Sequence, residues 1–280
     1  WETAFVLLGG DTNIIPMRKL WCKSWDGDGE YEDHIPSDLY YQCLDGNYNR
    51  DRDDRWGEPT DGVNAGEVDL LAEVYVGRAS AENAEEMANF VYKTLSYEND
   101  KTAYKRSALM VGEYLGLGGD SEYAKNSMEE IRLEASEHGY TTKGFAHDPS
   151  YTTDVLYQED DSWDKSSIIS KINSDAYGII NHLGLGDDDD VMKMNNSDAE
   201  MFSNSKFIFV YSQSGMPGNF EADCIGERLL TSQQGMAAVV FNSRYGWGIL
   251  NSTDGPSQRY NREFWDAYFD EDMLRLGELN

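Results

Sequence analysis

The stretch Ile-Ile-Asn-His-Leu-Gly-Leu-Gly-Asp-Asp-Asp-Asp (IINHLGLGDDDD, residues 179–190) joins a short apolar run to a glycine-containing turn and four consecutive carboxylates. An apolar run that ends in a turn is typical of a strand buried on both faces of a parallel sheet. Ligands of such sheets bind beyond the carboxyl ends of the strands. The stretch therefore predicts a ligand site in this turn, although the turn itself carries no obvious reactive group.

Similar apolar runs recur along the chain and alternate with segments of helical periodicity. The expected strands are 4–8, 73–78, 107–112, 177–184, 206–212 and 236–242. The expected helices are 80–99 with Ser80 as N-cap, 123–140 with Gly139 as C-cap, and 224–235. This alternation predicts an α/β fold with a largely parallel sheet and helices on both faces.

A polar segment at 96–106 is the nearest feature to a domain boundary, and it divides the chain into residues 1–100 and 101–280. Within the first part, residues 23–66 are polar and lack periodicity. A loop of that length in a compact domain is usually functional, or is held by something other than packing.

Composition limits the classes of partner. The chain has 280 residues, of which 52 are acidic and 23 basic, so its formal charge is −29. This charge repels nucleic acid and anionic membranes and attracts cations and basic protein or peptide partners. With 40% hydrophobic residues the chain can bury a substantial core. It contains no apolar run long enough to cross a membrane, and we expect any signal peptide to have been removed or to lie upstream.

The three cysteines, Cys22, Cys43 and Cys224, are too few and too scattered for a CxxC zinc site. Two alternatives remain for them. Either a Cys22–Cys43 disulfide closes the first loop, or all three are buried thiols.

One loop partly matches an EF-hand-type calcium site. Positions one, three, five, seven and twelve of that motif fall on Asn47, Asn49, Asp51, Asp53 and Glu58. Arg52 stands where the sharp turn favours glycine, and position one is Asn instead of Asp, so the match is incomplete. The alternative is a solvated acidic loop. A second acidic cluster at 26–33 has a spacing that fits no specific site.

Several segments together, in this order, resemble the gingipain-like cysteine peptidases of the caspase-like clan. They are AFVLLGGDTNIIP (4–16), IPSDLYYQCLDG (35–46), EVYVGRASAENAEE (73–86), GIINHLGLG (178–186), FVYSQSGMPGNFEADCIGERLL (209–230) and FNSRYGWGILNSTDGPSQRYNREFWDAYF (241–269). The resemblance runs nearly end to end. It implies a caspase-like three-layer α/β sandwich, with 1–100 as the last part of a first subdomain and 101–280 as the whole of the second.

The resemblance also implies a catalytic dyad, which this chain lacks. In that family the second histidine of His-x-Gly-His-Gly is the general base, and a cysteine in the loop after the FIFVYS-type strand is the nucleophile. These positions fall on Leu185 and Gly215, and neither side chain can do the chemistry. Gly184 and Gly186 flank the base position, where backbone N–H groups would bind substrate.

Neighbouring residues offer a weak substitute for the dyad. His182 could be paired with Ser214 or Ser212, but a shift of three residues from the base position changes both the direction and the depth of a side chain. The alternative is a histidine bonded to backbone near the sheet edge. Cys224 opens the following helix, where we expect it to pack.

Carboxylates suit a basic substrate. By resemblance to arginine-specific gingipains, Asp38 would bind a basic side chain; alternatively it is a helix N-cap. Asp187–Asp190 indicate a bound cation, a basic partner or a solvated acidic loop.

We therefore expect a gingipain-like peptidase domain without an active dyad, which serves in binding or assembly, including self-assembly, outside the cell or at its surface. The alternative is a secreted cysteine endopeptidase that cleaves after basic residues and whose dyad has been substituted in this form. Sequons at Asn195 and Asn251 would permit glycosylation in a suitable host.

Overall fold

The computed structural model describes residues 3–25 and 29–280. Its strands are β1 (Phe5–Gly9), β2 (Arg18–Trp25), β3 (Glu30–Ser37), β4 (Tyr75–Ala79), β5 (Ser107–Gly112), β6 (Glu134–Ala135), β7 (Thr142–Lys143), β8 (Thr152–Tyr157), β9 (Ile179–Leu183), β10 (Gly186–Asp187), β11 (Asp190–Val191), β12 (Met194–Asn195), β13 (Ile208–Ser212) and β14 (Met236–Phe241). Its α-helices are α1 (Leu39–Gln42), α2 (Ala84–Asn99), α3 (Lys125–Arg132), α4 (Lys165–Ile172), α5 (Ile225–Thr231), α6 (Pro256–Phe269) and α7 (Leu276–Leu279).

The chain divides between Glu82 and Asn83 into two compact units. The division lies before α2, whereas the sequence predicts a boundary after residue 100. The reason is that α2 packs against α5 and β14 of the second unit. Part of the acidic cluster at 26–33, namely residues 26–28, lies outside the described residues.

A parallel five-stranded sheet forms the centre of the second unit, in the order β14-β13-β9-β5-β8. Successive residues of β5 point into different clusters: Leu109 belongs to one buried cluster and Met110 to the other. The first cluster includes residues of α4 and α5, and the second includes residues of α3 and α6. Helices therefore cover both faces of the sheet, as expected for an α/β fold.

Two predicted helix ends differ from the structure. Asn83, not Ser80, caps α2, because its side chain accepts hydrogen bonds from the backbone N–H groups of Glu85 and Glu86. Helix α3 ends at Arg132, well before Gly139. Gly139 has a φ of 86° and lies in the turn between the paired strands β6 and β7.

In the first unit, β1 and β4 pair in parallel, and β2 and β3 form an antiparallel hairpin. The hairpin occupies part of the segment that was expected to be a loop. Cys22 and Cys43 are free thiols, and Cys22 lies opposite Asp33 in the hairpin, so the disulfide alternative is not what the structure has. Cys22 is also only partly buried, whereas Cys43 and Cys224 are buried.

Across the described ranges 3–25 and 29–280, no helix combines the length and apolarity that a bilayer crossing needs.

Candidate functional site

Strands β9 and β13 are neighbours in the sheet, with His182 directly opposite Ser212. Both strands are parallel, so the loops that follow them leave the same edge of the sheet. The hydroxyl of Ser214 donates to the carbonyl oxygens of Gly184 and Leu185, at 3.1 and 3.2 Å. The structure thus brings the two loops that carry positions 185 and 215 into direct contact.

The side chains at those two positions offer no reactive group. Leu185 is 61% exposed to solvent, at the end of a buried strand. Gly215 is partly exposed, and a Cβ added there would lie 3.5 Å from the nearest atoms of Tyr245, which is ordinary van der Waals contact. The fold therefore leaves room for a side chain at position 215 that the sequence does not supply.

His182 lies directly beneath this surface and has no exposed area. Its Nδ1 is 2.9 Å from the Ser212 hydroxyl, and its Nε2 is 3.2 Å from Oε1 of Glu113. A carboxylate only accepts hydrogen bonds, so Nε2–H donates to Glu113 and Nδ1 is left to accept from the serine. Ser214 Oγ lies farther from Nδ1, at 3.4 Å. The alternative of a histidine bonded to backbone is not what the structure has, because its ring bonds to side chains.

A serine, a histidine and a carboxylate in this order look like a catalytic triad. The hydroxyl of Ser212 is buried, and Ser214 has no exposed area. A substrate carbonyl must come within hydrogen-bonding reach of the attacking oxygen, and buried hydroxyls cannot offer that approach. The group is therefore a buried polar network that fills the space below positions 185 and 215.

The two glycines next to Leu185 are required by packing. A Cβ on Gly184 would lie 2.5 Å from Nε2 of His182, and one on Gly186 would lie 2.8 Å from the carbonyl oxygen of Asp190. Any side chain at either position would displace the network or the adjoining turn. These glycines thus shape the loop for a steric reason that does not depend on catalysis.

The four aspartates form a tight hairpin beside the network, in which Asp187 pairs with Asp190 across β10 and β11. Burial raises the pKa of Asp190, and the nearby carboxylates of Glu113, Asp189 and Asp187 raise it further. The edge of the sheet therefore carries concentrated negative charge that a cation or a basic side chain would relieve.

Two contributors to this edge were not singled out from the sequence. Glu113 follows β5 directly and is 69 residues from His182 in the chain, so only the folded sheet brings them together. Asn242 follows β14 and donates its Nδ2 to the carbonyl oxygens of Gln213 and Ser214, at 3.1 and 3.0 Å. It holds the loop that carries Gly215 in place.

Gln213 is itself 4% exposed, and neither end of its amide has a hydrogen-bond partner among the described residues. A buried amide without partners is costly unless a ligand or water completes it.

Asp38, in the first unit, stands at the N-cap position of α1, and its side chain pairs with Arg78. Its two carboxylate oxygens each accept a hydrogen bond from Arg78, from Nε and Nη2, at 2.7 Å. Its side chain makes no helix-capping bond within the described chain, since the N–H of Leu39 bonds to Ser37 instead. The negative charge of Asp38 is therefore already balanced by a buried guanidinium of the same unit.

The predicted calcium loop, also in the first unit, brings three of its acidic residues together. Oxygen atoms of Asp51, Asp53 and Glu58 lie within 4.8 Å of one another. Arg52 has a φ of 66°, so the sixth position adopts the left-handed turn for which glycine is usual. The turn geometry expected of such a loop is therefore present without the glycine.

The two asparagines of the loop are arranged differently. Oδ1 of Asn49 is buried and has no hydrogen-bond partner within residues 3–25 and 29–280, while its Nδ2 donates to the carbonyl of Asp53 at 2.9 Å. Oδ1 of Asn47 accepts from the backbone N–H of Asn49 at 3.2 Å. Carboxylate and amide oxygens are ligands that suit Ca²⁺. The unpaired Oδ1 of Asn49 is therefore consistent with a bound cation.

Comparison with known proteins identifies the family. The family model described as Peptidase family C25 matches residues 1–280. Among solved structures, the crystal structure of the Arg-specific cysteine proteinase gingipain R is similar, with a TM-score of 0.68 and 19% sequence identity over 99% of this chain. The complex of the pro- and mature domains of RgpB from Porphyromonas gingivalis has a TM-score of 0.63 and 17% identity over 96% of this chain.

These likenesses establish the caspase-like fold. The chain spans only about half the length of the two proteins it matches. The chain covers 56% of the first of those proteins and 55% of the second. No curated protein matches the chain.

Proposed function

The chain belongs to peptidase family C25, and from that premise we propose that it binds basic peptide or protein segments at the carboxyl edge of its sheet without cleaving them. The observation that carries this proposal is the pair of surface positions where the family's dyad is expected. One holds an exposed leucine, Leu185, and the other holds Gly215. The nearby imidazole, His182, is buried and occupied by Glu113 and Ser212.

The charge of the edge supports a basic ligand. Asp190 is crowded by other carboxylates, so a guanidinium or ammonium group would lower the repulsion among them. Leu185 adds exposed apolar surface at the same edge. The acidic whole molecule would speed the approach of such a ligand, with strong dependence on salt.

Fluorescence anisotropy can test this binding with a labelled peptide that has one central arginine, compared with a peptide that has citrulline instead. We expect the arginine peptide to bind more tightly, more weakly as salt is added, and about tenfold more weakly to Asp190→Asn, because a charge-assisted hydrogen bond is worth about 1.5–3 kcal/mol. Glu263→Gln, which removes an exposed carboxylate from α6, is the matched control and should change little.

Equal affinity for the two peptides, or equal loss in Asp190→Asn and Glu263→Gln, would contradict a specific basic site. Peptide recovered intact after the titration would agree with binding alone.

We propose further that residues 47–58 bind calcium. Asp51, Asp53, Glu58 and the orphaned Oδ1 of Asn49 would supply the oxygens. A bound Ca²⁺ would neutralise these carboxylates and stabilise the folded form of the loop.

Melting curves with added calcium and with a chelator test this site. We expect calcium to raise the melting temperature of the parent chain and not that of Glu58→Gln, since the buried carboxylate is a ligand that the amide replaces poorly. Asp161→Asn, at an exposed aspartate of the second unit that is in neither cluster of possible metal ligands among the described residues, is the control. A melting temperature that a chelator leaves unchanged would remove the proposal.

We also propose that the domain works outside the cell or at its surface, as its resemblance to gingipains implies and as its acidity allows. Detection of the chain only in the cytosolic fraction of its source cells would contradict that location.

A further inference from the structure

A cavity of about 290 Å³ opens at the opposite edge of the same sheet, where the strands begin. Its floor includes Ile179, the first residue of β9, and Phe209 near the start of β13. Phe264 and Trp265 of α6 complete the floor. All four side chains are buried, so the floor is apolar and rigid.

The walls of this cavity are also aromatic and apolar. Its lining also includes Tyr97 of α2, Tyr151, Tyr268, Leu274 and Leu276. Leu274 is 69% exposed, although it lines an apolar space. A cavity of this size with flat aromatic walls fits a small planar ring system.

The polar groups at the cavity are all suited to an anion. Lys105 and Arg106 are the charged residues that line it, and no carboxylate lines it in the part of the chain that the structure describes. This is notable in a chain with 52 acidic and 23 basic residues. Neither cation forms an ion pair within 4.0 Å among residues 3–25 and 29–280, so each can make a direct contact with an acidic ligand. Arg106 does act at longer range on Asp148, whose pKa it lowers.

Two further contacts favour a ligand at this point. Lys105 Nζ lies 4.6 Å from the centroid of the Tyr97 ring, so the ammonium group is held at the aromatic wall. Burial lowers the pKa of Lys105 and the charge of Lys101 lowers it further, whereas the carboxylates of Asp100 and Glu98 raise it. The net direction is downward, so direct contact with an anion would stabilise the ammonium form. The hydroxyls of Tyr151 and Tyr268 share one hydrogen bond, which leaves one O–H able to donate.

We propose that this cavity is a binding site for a small aromatic carboxylate, whose ring lies between the tyrosines and Phe264 and whose carboxylate lies at Lys105 and Arg106. The apolar walls stabilise the ring by burying its surface, and the two cations favour an acid over a neutral or basic analogue. The site is independent of the peptide-binding edge, because it lies at the other ends of the strands.

Isothermal titration calorimetry with 2-naphthoate tests this site, with 2-naphthalenemethanol as a neutral analogue of the same shape. We expect saturable binding of the acid at one site per chain, and affinity for the alcohol that is lower by at least about tenfold, because a charge-assisted hydrogen bond contributes about 1.5–3 kcal/mol. The combined variant Lys105→Gln, Arg106→Gln should bind the acid more weakly by a similar factor and should keep its affinity for the alcohol.

Lys19→Gln is the control, since Lys19 is exposed, carries the same charge and is not part of the cavity lining. Its affinity for the acid should match that of the parent chain. Circular dichroism verifies that each variant is folded. Absence of saturable binding of the acid, equal affinity for acid and alcohol, or equal losses in the Lys19 and Lys105/Arg106 variants would each overturn the proposal.

Discussion

At the carboxyl edge of the sheet, a buried layer and an exposed layer of residues differ in the hydrogen bonding of their side chains. The buried layer consists of Glu113, His182, Ser212 and Ser214, which hydrogen-bond one another or nearby carbonyls. The exposed layer consists of Leu185 and Gly215, which offer no polar side-chain atom. Packing and hydrogen bonding thus maintain the shape of the site, while the reactive groups of a peptidase would occupy positions on which the fold depends little.

The largest expected effect comes from filling the exposed layer. The variant Leu185→His, Gly215→Cys should gain labelling by an arginine-based acyloxymethyl ketone and amide hydrolysis roughly 10³-fold or more above the parent chain, because an imidazole and a thiol act as a unit. Each single variant should gain far less, and the fold should tolerate a Cβ at position 215. A folded double variant with no more labelling or hydrolysis than the parent chain would show that these are not dyad positions.

Disturbing the buried layer should instead cost stability. Gly184→Ala would place a Cβ 2.5 Å from Nε2 of His182, so we expect the free energy of unfolding to fall by about 1–3 kcal/mol in urea titration. Gly215→Ala, which meets only ordinary contacts, is the matched control and should change it by less than about 0.5 kcal/mol. Equal losses in the two variants would remove the distinction between the layers.

The smallest expected effect concerns Asp190, one of the four consecutive aspartates at the carboxyl edge of the sheet. Because the pKa of Asp190 is raised in the folded state, its ionisation costs stability as pH rises from the unfolded pKa through the folded one, and the full cost is present at neutral pH. Asp190→Asn should therefore stabilise the protein at neutral pH, by no more than about 1 kcal/mol given its partial exposure. The gain should vanish in acid below the unfolded pKa.

Thermal unfolding across pH measures this effect, with Asp161→Asn, at an exposed position away from the four aspartates in the sequence, as the comparison. A gain that persists unchanged in acid would mean that charge repulsion is not its cause.

The sequence predicts those parts of the fold that depend on continuous apolar runs. Strands β1, β4, β5, β9, β13 and β14 were predicted in this way. The hairpin of β2 and β3 was not, because its residues are largely polar and partly exposed. Strand β8 and helix α6 were not singled out either, since β8 is polar and half exposed and α6 has aromatic residues among many polar ones.

At the candidate site, the sequence placed Leu185 and Gly215 on loops that the structure brings together. It could not give the partner of His182, because Glu113 reaches it only across neighbouring strands. The pairing of Asp38 with Arg78 was missed for the same reason, since 40 residues separate them.

Mass spectrometry of an arginine-containing peptide incubated with the unaltered chain, from mildly acidic to mildly alkaline pH, tests the absence of catalysis most directly. We predict that the peptide stays intact at every pH while it binds. Cleavage that copurifies with the chain and disappears in His182→Gln or Ser214→Ala would contradict that prediction, since it would show the buried network to be catalytic.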